Sequence, residues 1–505
     1  MRLLCAFAPL RELFSFVSKI FTQRRKGAKE KMRRGLETRS CRWGKGKGEG
    51  EKLIGQISSG GLRSRGCRAL PLALFLVFVL YPLPLHLYPS SSSARERVTT
   101  ATREGRLIVF DETWRTIRER YYDPALHGVD WEELRARLRP LAADANGETA
   151  FYAVLRRLTS RLRDAHTRVF APDERFDWQR PTYISVGVSL REIAGEIVVA
   201  SVERESEAER RGVRAGDELL EIEGEPVEVV FARSLTEETG ASTDVAARQH
   251  AAARLFKGAR DTFVNAVFAT NNGRTTKKIR LRRMLQNRPP ALRMQKAEGF
   301  QVVNFNMFVP EIASELMRAL RRGELRTARG LVLDLRDNGG GHAETMTDIA
   351  SAFLPQGTNL GEFTDREGRI TSTPQTRAAM LFAADAVAEF RGPVVVLTST
   401  RTASAAEILA AALQESKRAS VIGERTCGCV LAIRRRHTLP DGGLLDISEM
   451  DFRTARHTRL EGAGITPDEI IEPTRRDLRD ARDPALERAL KILRDELEAA
   501  KGASR

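Results

Sequence analysis

The stretch GPVVVLTSTRTASAAEILAAALQ, residues 392–414, decides how the rest of the chain is read. Val394 to Leu397 form a short aliphatic run of the length of a buried strand. Ser, Thr and Arg interrupt it, and from Ala405 the apolar residues follow a helical spacing. A strand that runs into a helix is the repeating unit of a parallel α/β layer. Ser404 falls where the strand's C-terminal end gives way to the helix, which is where open α/β sheets hold their reacting groups. A hydroxyl there gains from the helix dipole and from the N–H of Ala405. On this window alone, Ser404 and Thr402 read first as helix caps, the usual role of such residues.

Working outward, GLVLDLRD runs into NGGG at 338–341. Glycines after a buried strand let the backbone turn sharply and aim its N–H groups outward, where they can hold an oxyanion. By themselves they read as a plain turn. FQVVNFNMF, IASELMRALRRG, TMTDIASAFL and SVIGERTCGCV continue the alternation of short strands and ten-residue helical patterns. Residues 290–475 are therefore expected to form an α/β core. ALERALKILRDELEAA, within 477–505, predicts a terminal amphipathic helix.

Upstream, residues 104–170 are helical in pattern. FDETWRTIRERYYD sets Phe110, Trp114, Ile117 and Tyr121 on one face, and two further amphipathic segments follow before RDAHTRVF. Residues 178–285 change period. YISVGVSL, GEIVVASV, DTFVNAVF and TKKIRLRR read as strands, with Gly212, Gly216 and Gly224 at turns and one helix over TDVAARQHAAARLF. This predicts a small β-rich domain with one or two helices. His166, in RDAHTRVF, and Glu461, in RLEGAGITPDE, are isolated titratable residues that gain meaning only from partners. His342, just after the glycines, is a second candidate base and is expected at the surface.

The chain has 505 residues and a formal charge of +16, from 83 Lys and Arg against 67 Asp and Glu. The charge sits at the start: residues 1–90 carry +13 and residues 91–505 only +3. A near-neutral body excludes nucleic-acid binding as the leading function. Residues 69–89 are an uncharged apolar run behind Arg63, Arg65 and Arg68, with SSSSA after it. Basic, apolar, then small is the order of an export signal, so 62–94 is read as a signal peptide cut after Ala94, or as an N-terminal membrane anchor. The body is then periplasmic, extracellular or tethered outside the cytoplasm. Residues 1–60 are a basic extension or follow from a start assigned too far upstream. The five cysteines make no disulfide framework and no zinc spacing. Cys427 and Cys429, two apart as on a strand, are expected to stay unpaired, because two strand rises (about 6.6–6.8 Å) reach the outer edge of disulfide geometry.

GLVLDLRDNGGG, TASAAEILAAALQ, GERTCG and EGAGITPDEIIEP occur in the order found in the carboxy-terminal processing (tail-specific) serine proteases and their tricorn-core relatives. The helical segment resembles that family's N-terminal domain, and 178–285 resembles its PDZ domain. The resemblance covers roughly residues 105–475 and implies serine peptidase chemistry with no metal or cofactor. It makes Ser404 the nucleophile, and Ala405 with Gly340 or Gly341 the oxyanion donors. The general-base lysine of the tail-specific branch is replaced here by Cys429. The tricorn-like branch uses instead a histidine and a carboxylate, which match His166 and Glu461. A neutral imidazole can take the serine proton, and a carboxylate can orient it directly or through a hydroxyl. Val186, Gly187, Val188 and Leu190 match the PDZ loop that receives a terminal carboxylate, with the basic Arg191 beside it and a peptide adding as a strand. The expected function is an exported serine endopeptidase acting on protein or peptide substrates with free C-termini. The alternative is an inactive relative that only binds peptides.

Overall fold

The computed structural model describes residues 98–174, 181–237, 240–270, 273, 275–321, 325–377 and 389–503. The basic extension and the export segment 62–94 lie outside the described residues.

The α/β layer is built on one sheet of six strands. In spatial order they are Leu292–Ala297, Phe300–Phe305, Leu331–Asp334, Val394–Thr398, Ser420–Gly423 and Glu469–Ile470. The first pair is antiparallel and every later pair parallel. Both faces are covered, as parallel strands require. Val303, Leu331, Leu333, Val394 and Val396 pack on one side against the helices Pro310–Arg321, Ala343–Ala350 and Ala405–Glu415. Val302, Val332, Val395 and Leu397 pack on the other against the terminal helix Pro484–Ala503, through Ala489, Leu490 and Leu493. Side chains alternating across each strand supply these two cores.

The N-terminal helices are Arg103–Arg120, Trp131–Ala143 and Glu148–Thr159. Thr102 caps the first by accepting from the Gly105 N–H at 3.1 Å, and Asp130 caps the second through the Glu133 N–H at 2.9 Å. The face read from the sequence is the buried one: Phe110, Trp114, Ile117 and Tyr121 all enter the core. Trp114 and Trp131 each donate an indole N–H to the other's carbonyl, at 2.9 and 3.1 Å.

This helical core also takes in Leu431, Leu439, Leu445 and Ile447 from far along the chain. Leu445 and Ile447 belong to a second sheet that the alternating strand–helix reading did not anticipate, and Leu431 and Leu439 flank one of its strands. Its central strand, Leu444–Arg453, pairs antiparallel with Arg168–Phe170, Ala432–Thr438 and Glu362–Thr364. The hairpin turn lies at Pro440-Asp441-Gly442, a turn-forming sequence, where Leu439 donates its N–H to the Gly443 carbonyl at 2.8 Å. The pairing of Arg168–Phe170 fixes the position of the segment that carries His166.

Residues 181–287 form the β-rich unit. Its main sheet runs Val188–Ile193, Glu196–Val202, Glu218–Ile222, Phe263–Thr270 and Thr275–Arg282. Among the described residues, three helices, the short Glu207–Arg210, Val227–Glu237 and Asp244–Arg254, accompany it where one or two were expected.

Candidate active site

Ser404 stands at the junction of the strand Val394–Thr398 and the helix Ala405–Glu415. Its backbone has φ 57° and ψ −124°, a conformation that L-residues avoid and that persists only where the surroundings enforce it. The enforcement comes from the glycine turn. The Ala403 N–H donates to the Asn338 carbonyl at 3.1 Å, and the Asn338 amide donates to the Phe305 carbonyl at 3.0 Å. Gly340, at φ 96°, lies so close that a Cβ on it would sit 2.6 Å from the Ser404 Cβ and 2.9 Å from the Ala403 oxygen. Only glycine fits there. The Gly340 N–H donates to the Asn338 side-chain oxygen at 2.9 Å. Of the donors named from the sequence, Gly340 is thereby committed inside the turn. Ala405, the first residue of the helix, and Gly341 are the remaining two donors named from the sequence. His342 is exposed at the start of the next helix, as expected.

Behind the serine, Glu407 is fully buried, and its carboxylate gathers four donors. Oε1 accepts from the Thr426 hydroxyl at 2.5 Å and the Gly428 N–H at 2.8 Å. Oε2 accepts from the Ser404 N–H at 3.1 Å and the Cys429 N–H at 2.9 Å. Burial raises the Glu407 carboxyl above its usual range, and these donors oppose the rise. Sequence reading gave Glu407 no role. A Ser-x-x-Glu spacing at a helix start was the signal.

Cys427 and Cys429 form a disulfide, which corrects the expectation that they stay apart. The segment is not extended: Gly428 at φ 71° folds it, and the two Cα atoms come to 5.2 Å. The pair is buried against Ala165, Ala241, Ala246 and Ala403. Its neighbours therefore flank His166 on one side and Ser404 on the other. The place of the tail-specific lysine holds a disulfide sulfur and no ionisable group.

His166 is half-buried, and its Nδ1 is enclosed without a hydrogen-bond partner. Burial pushes its imidazole down to about 4; Asp164 opposes the shift and Arg168 adds to it. Asp164 Oδ1 lies 3.9 Å from that Nδ1. The Asp164 carboxylate accepts from the N–H groups of His166 and Thr167 and from the Thr167 hydroxyl, which fixes the turn. Glu461 is buried, with Oε2 on the N–H groups of Val430 and Leu431 at 2.7 and 3.1 Å and Oε1 unpartnered. Burial pushes it up to about 8, with Asp164 adding to the rise. Ser242 belongs to the same cluster. Its hydroxyl accepts from the Ala165 N–H at 3.4 Å and pulls the Glu461 carboxyl back down. Asp164 and Ser242 went unremarked in the sequence, because nothing local to either pointed to this cluster.

The serine turn, its glycine clamp and the flanking carboxylates can now be set beside known proteins. Residues 300–471 match the family model described as peptidase family S41. The core is a family S41 peptidase domain. Residues 103–160 match the tricorn protease C1 domain, and 177–240 a PDZ domain. The carboxyl-terminal-processing protease of Synechocystis sp. is 28% identical over 382 residues, covering 74% of this chain and 82% of that protein. The chloroplastic carboxyl-terminal-processing peptidase 1 of Arabidopsis thaliana is 26% identical over 382 residues, covering 73% of this chain and 71% of that protein. The crystal structure of mature CPAF superposes with a TM-score of 0.59 at 13% identity, over 77% of this chain and 96% of that one; it speaks to the fold alone.

In the PDZ domain the strand Val188–Ile193 is the sheet edge, with the helix Asp244–Arg254 packed alongside. Val186 and Leu190 point into the domain core, and Val188 is half-buried. The Gly187 N–H already donates to the Ser185 hydroxyl at 2.9 Å. Arg191, expected to lend charge to a bound terminus, instead pairs at 2.5 Å with Glu424 of the S41 core, three residues before Cys427. That is a correction: the guanidinium is used to dock the domain.

Proposed function

We propose that this chain is a serine endopeptidase that works through Ser404, His166 and Glu461. Ser404 Oγ attacks the scissile carbonyl while its proton passes to His166. The N–H groups of Ala405 and Gly341 take the oxyanion. The imidazolium returns the proton to the leaving amine, and water releases the acyl group by the same steps in reverse order. Glu461 supports the imidazolium, with the Ser242 hydroxyl as the bridge between that carboxylate and the His166 turn. The reading is carried by one observation: the lysine position is occupied by a disulfide, while an unpartnered imidazole, kept neutral by burial, stands in the segment packed against it. A neutral imidazole is the form a general base needs.

Two finer parts belong to the same proposal. Export rests on the order of residues 62–94, and substrate capture rests on the open edge of Val188–Ile193, to which a chain terminus can add as a strand. The test is labelling by a fluorophosphonate probe together with hydrolysis of β-casein. The wild-type chain is expected to label and cleave. Ser404→Ala should do neither, and His166→Ala should label slowly. A folded wild-type chain that fails to label would leave a peptide-binding protein.

A further inference from the structure

The body of the chain is almost neutral, yet one cavity in it is not. Among the described residues, Arg156, Arg157, Arg161, Arg168, Arg254 and Lys257 line a cavity of about 1140 Å³. Glu174 is the one carboxylate among the described residues of that lining, and it is held by Arg156 at 2.6 Å. Ala165 and Thr167 also line the space, so it opens beside His166. A concave surface of one sign focuses the field and draws ligands of the opposite sign.

Arg168 makes the case specific. It is half-buried on the strand Arg168–Phe170, and its Nε is enclosed with no hydrogen-bond partner. Two carboxylates are near, and both are engaged elsewhere. Asp446, its cross-strand neighbour, receives a two-pronged pair from Arg436 at 2.8 Å on each oxygen. Asp164 is occupied by the Thr167 hydroxyl and by the backbone N–H groups of residues 166 and 167. An enclosed guanidinium nitrogen left without an acceptor is costly, and the planar fork of arginine fits a carboxylate.

We infer that this cavity receives a carboxylate-bearing segment of the substrate, centred on Arg168, and so selects acidic peptides at the entrance to the site. The inference rests on the peptidase reading for the word substrate, but its test does not depend on cleavage. The carboxylates come either from Asp and Glu side chains or from a chain terminus, and the probes separate the two.

The full chain carrying Ser404→Ala is titrated with three fluorescein-labelled peptides: hexaglutamate amide, hexaglutamine amide, and hexaglutamine with a free terminus. Hexaglutamate amide is expected to bind about tenfold or more tightly than hexaglutamine amide, with the advantage shrinking as salt rises. Arg161→Glu with Lys257→Glu, both exposed, should cut that advantage by about tenfold without unfolding the chain. Arg168→Gln should do the same from the centre of the cavity. If only the free-terminus probe binds, and the charge reversal abolishes it, a terminal carboxylate is the source and the cavity assignment holds. Equal affinity for all three probes, or an unchanged affinity in the charge-reversed chain, overturns the inference. Fluorophosphonate labelling of the unmutated chain judges the peptidase reading separately.

Discussion

The two halves of the candidate site are built on opposite plans. Around Ser404 the buried polar side chains have their partners: Glu407 takes four donors, Asn338 ties the glycine turn, and Gly340 presses on the serine. Around His166 the reverse holds. His166 Nδ1, Glu461 Oε1 and the Tyr121 hydroxyl are all buried without partners. The first half is rigid scaffolding that holds one geometry. The second carries unsatisfied polar groups with displaced titrations, which is the arrangement a proton-transfer site needs and a scaffold avoids.

The comparison can be broken most sharply at Gly340. Gly340→Ala puts a methyl group against the Ser404 Cβ and forces an L-residue to φ 96°. Activity should fall by at least about a hundredfold, with stability lowered by about 1–3 kcal/mol. Hydrolysis rates and thermal melting check both. Near-normal activity would show that the glycine clamp does not set the serine's position.

On the other side, His166→Ala should cost about a hundredfold or more in kcat, as expected for loss of a general base. The melting temperature should hold or rise, because an unpaired buried imidazole is removed. A large loss of stability at unchanged kcat would make His166 scaffolding too.

Acidity sharpens the contrast. Glu461, raised from 4.5 to about 8, contributes stability that is complete below pH 4.5 and lost as pH climbs through 8. His166, lowered from 6.5 to about 4, contributes stability present above pH 6.5 and lost as pH falls through 4. In denaturant titrations Glu461→Gln should flatten the alkaline arm alone, and His166→Gln the acidic arm alone. In kinetics, kcat/KM should rise through about pH 8 as Glu461 ionises, with Glu461→Gln removing that rise.

The smallest effect is expected at the disulfide. Cys429→Ala, or Cys427→Ala with Cys429→Ala, should leave activity within about fivefold, because Glu407 holds the N–H groups of Gly428 and Cys429 whether or not the sulfurs are joined. A loss equal to that of His166→Ala would move the chemistry to a thiol.

The serine turn was legible in the sequence because its parts are local: a buried strand, a glycine run, a helix start. The inward face of the first helix was legible for the same reason. The second sheet was not, since Arg168–Phe170 and Leu444–Arg453 meet only through the fold, and neither run announces the other. Cys427 and Cys429 were misread because strand geometry was assumed where Gly428 bends the chain. Ser242 lies just beyond the PDZ match and Asp164 two residues before His166. Their convergence on Glu461 is a tertiary fact that no spacing rule carries.

The shared core of the N-terminal helices has a consequence in time. Phe110, Trp114 and Tyr152 close on Leu439, Leu445 and Ile447, some three hundred positions later in the chain. A ribosome adds residues in order, and units that are complete in themselves fold as they emerge. These helices cannot do so: one wall of their interior has yet to be synthesised. The segment bearing His166 is held by the same late strand, so it reaches its station only after Ser404 has already been made.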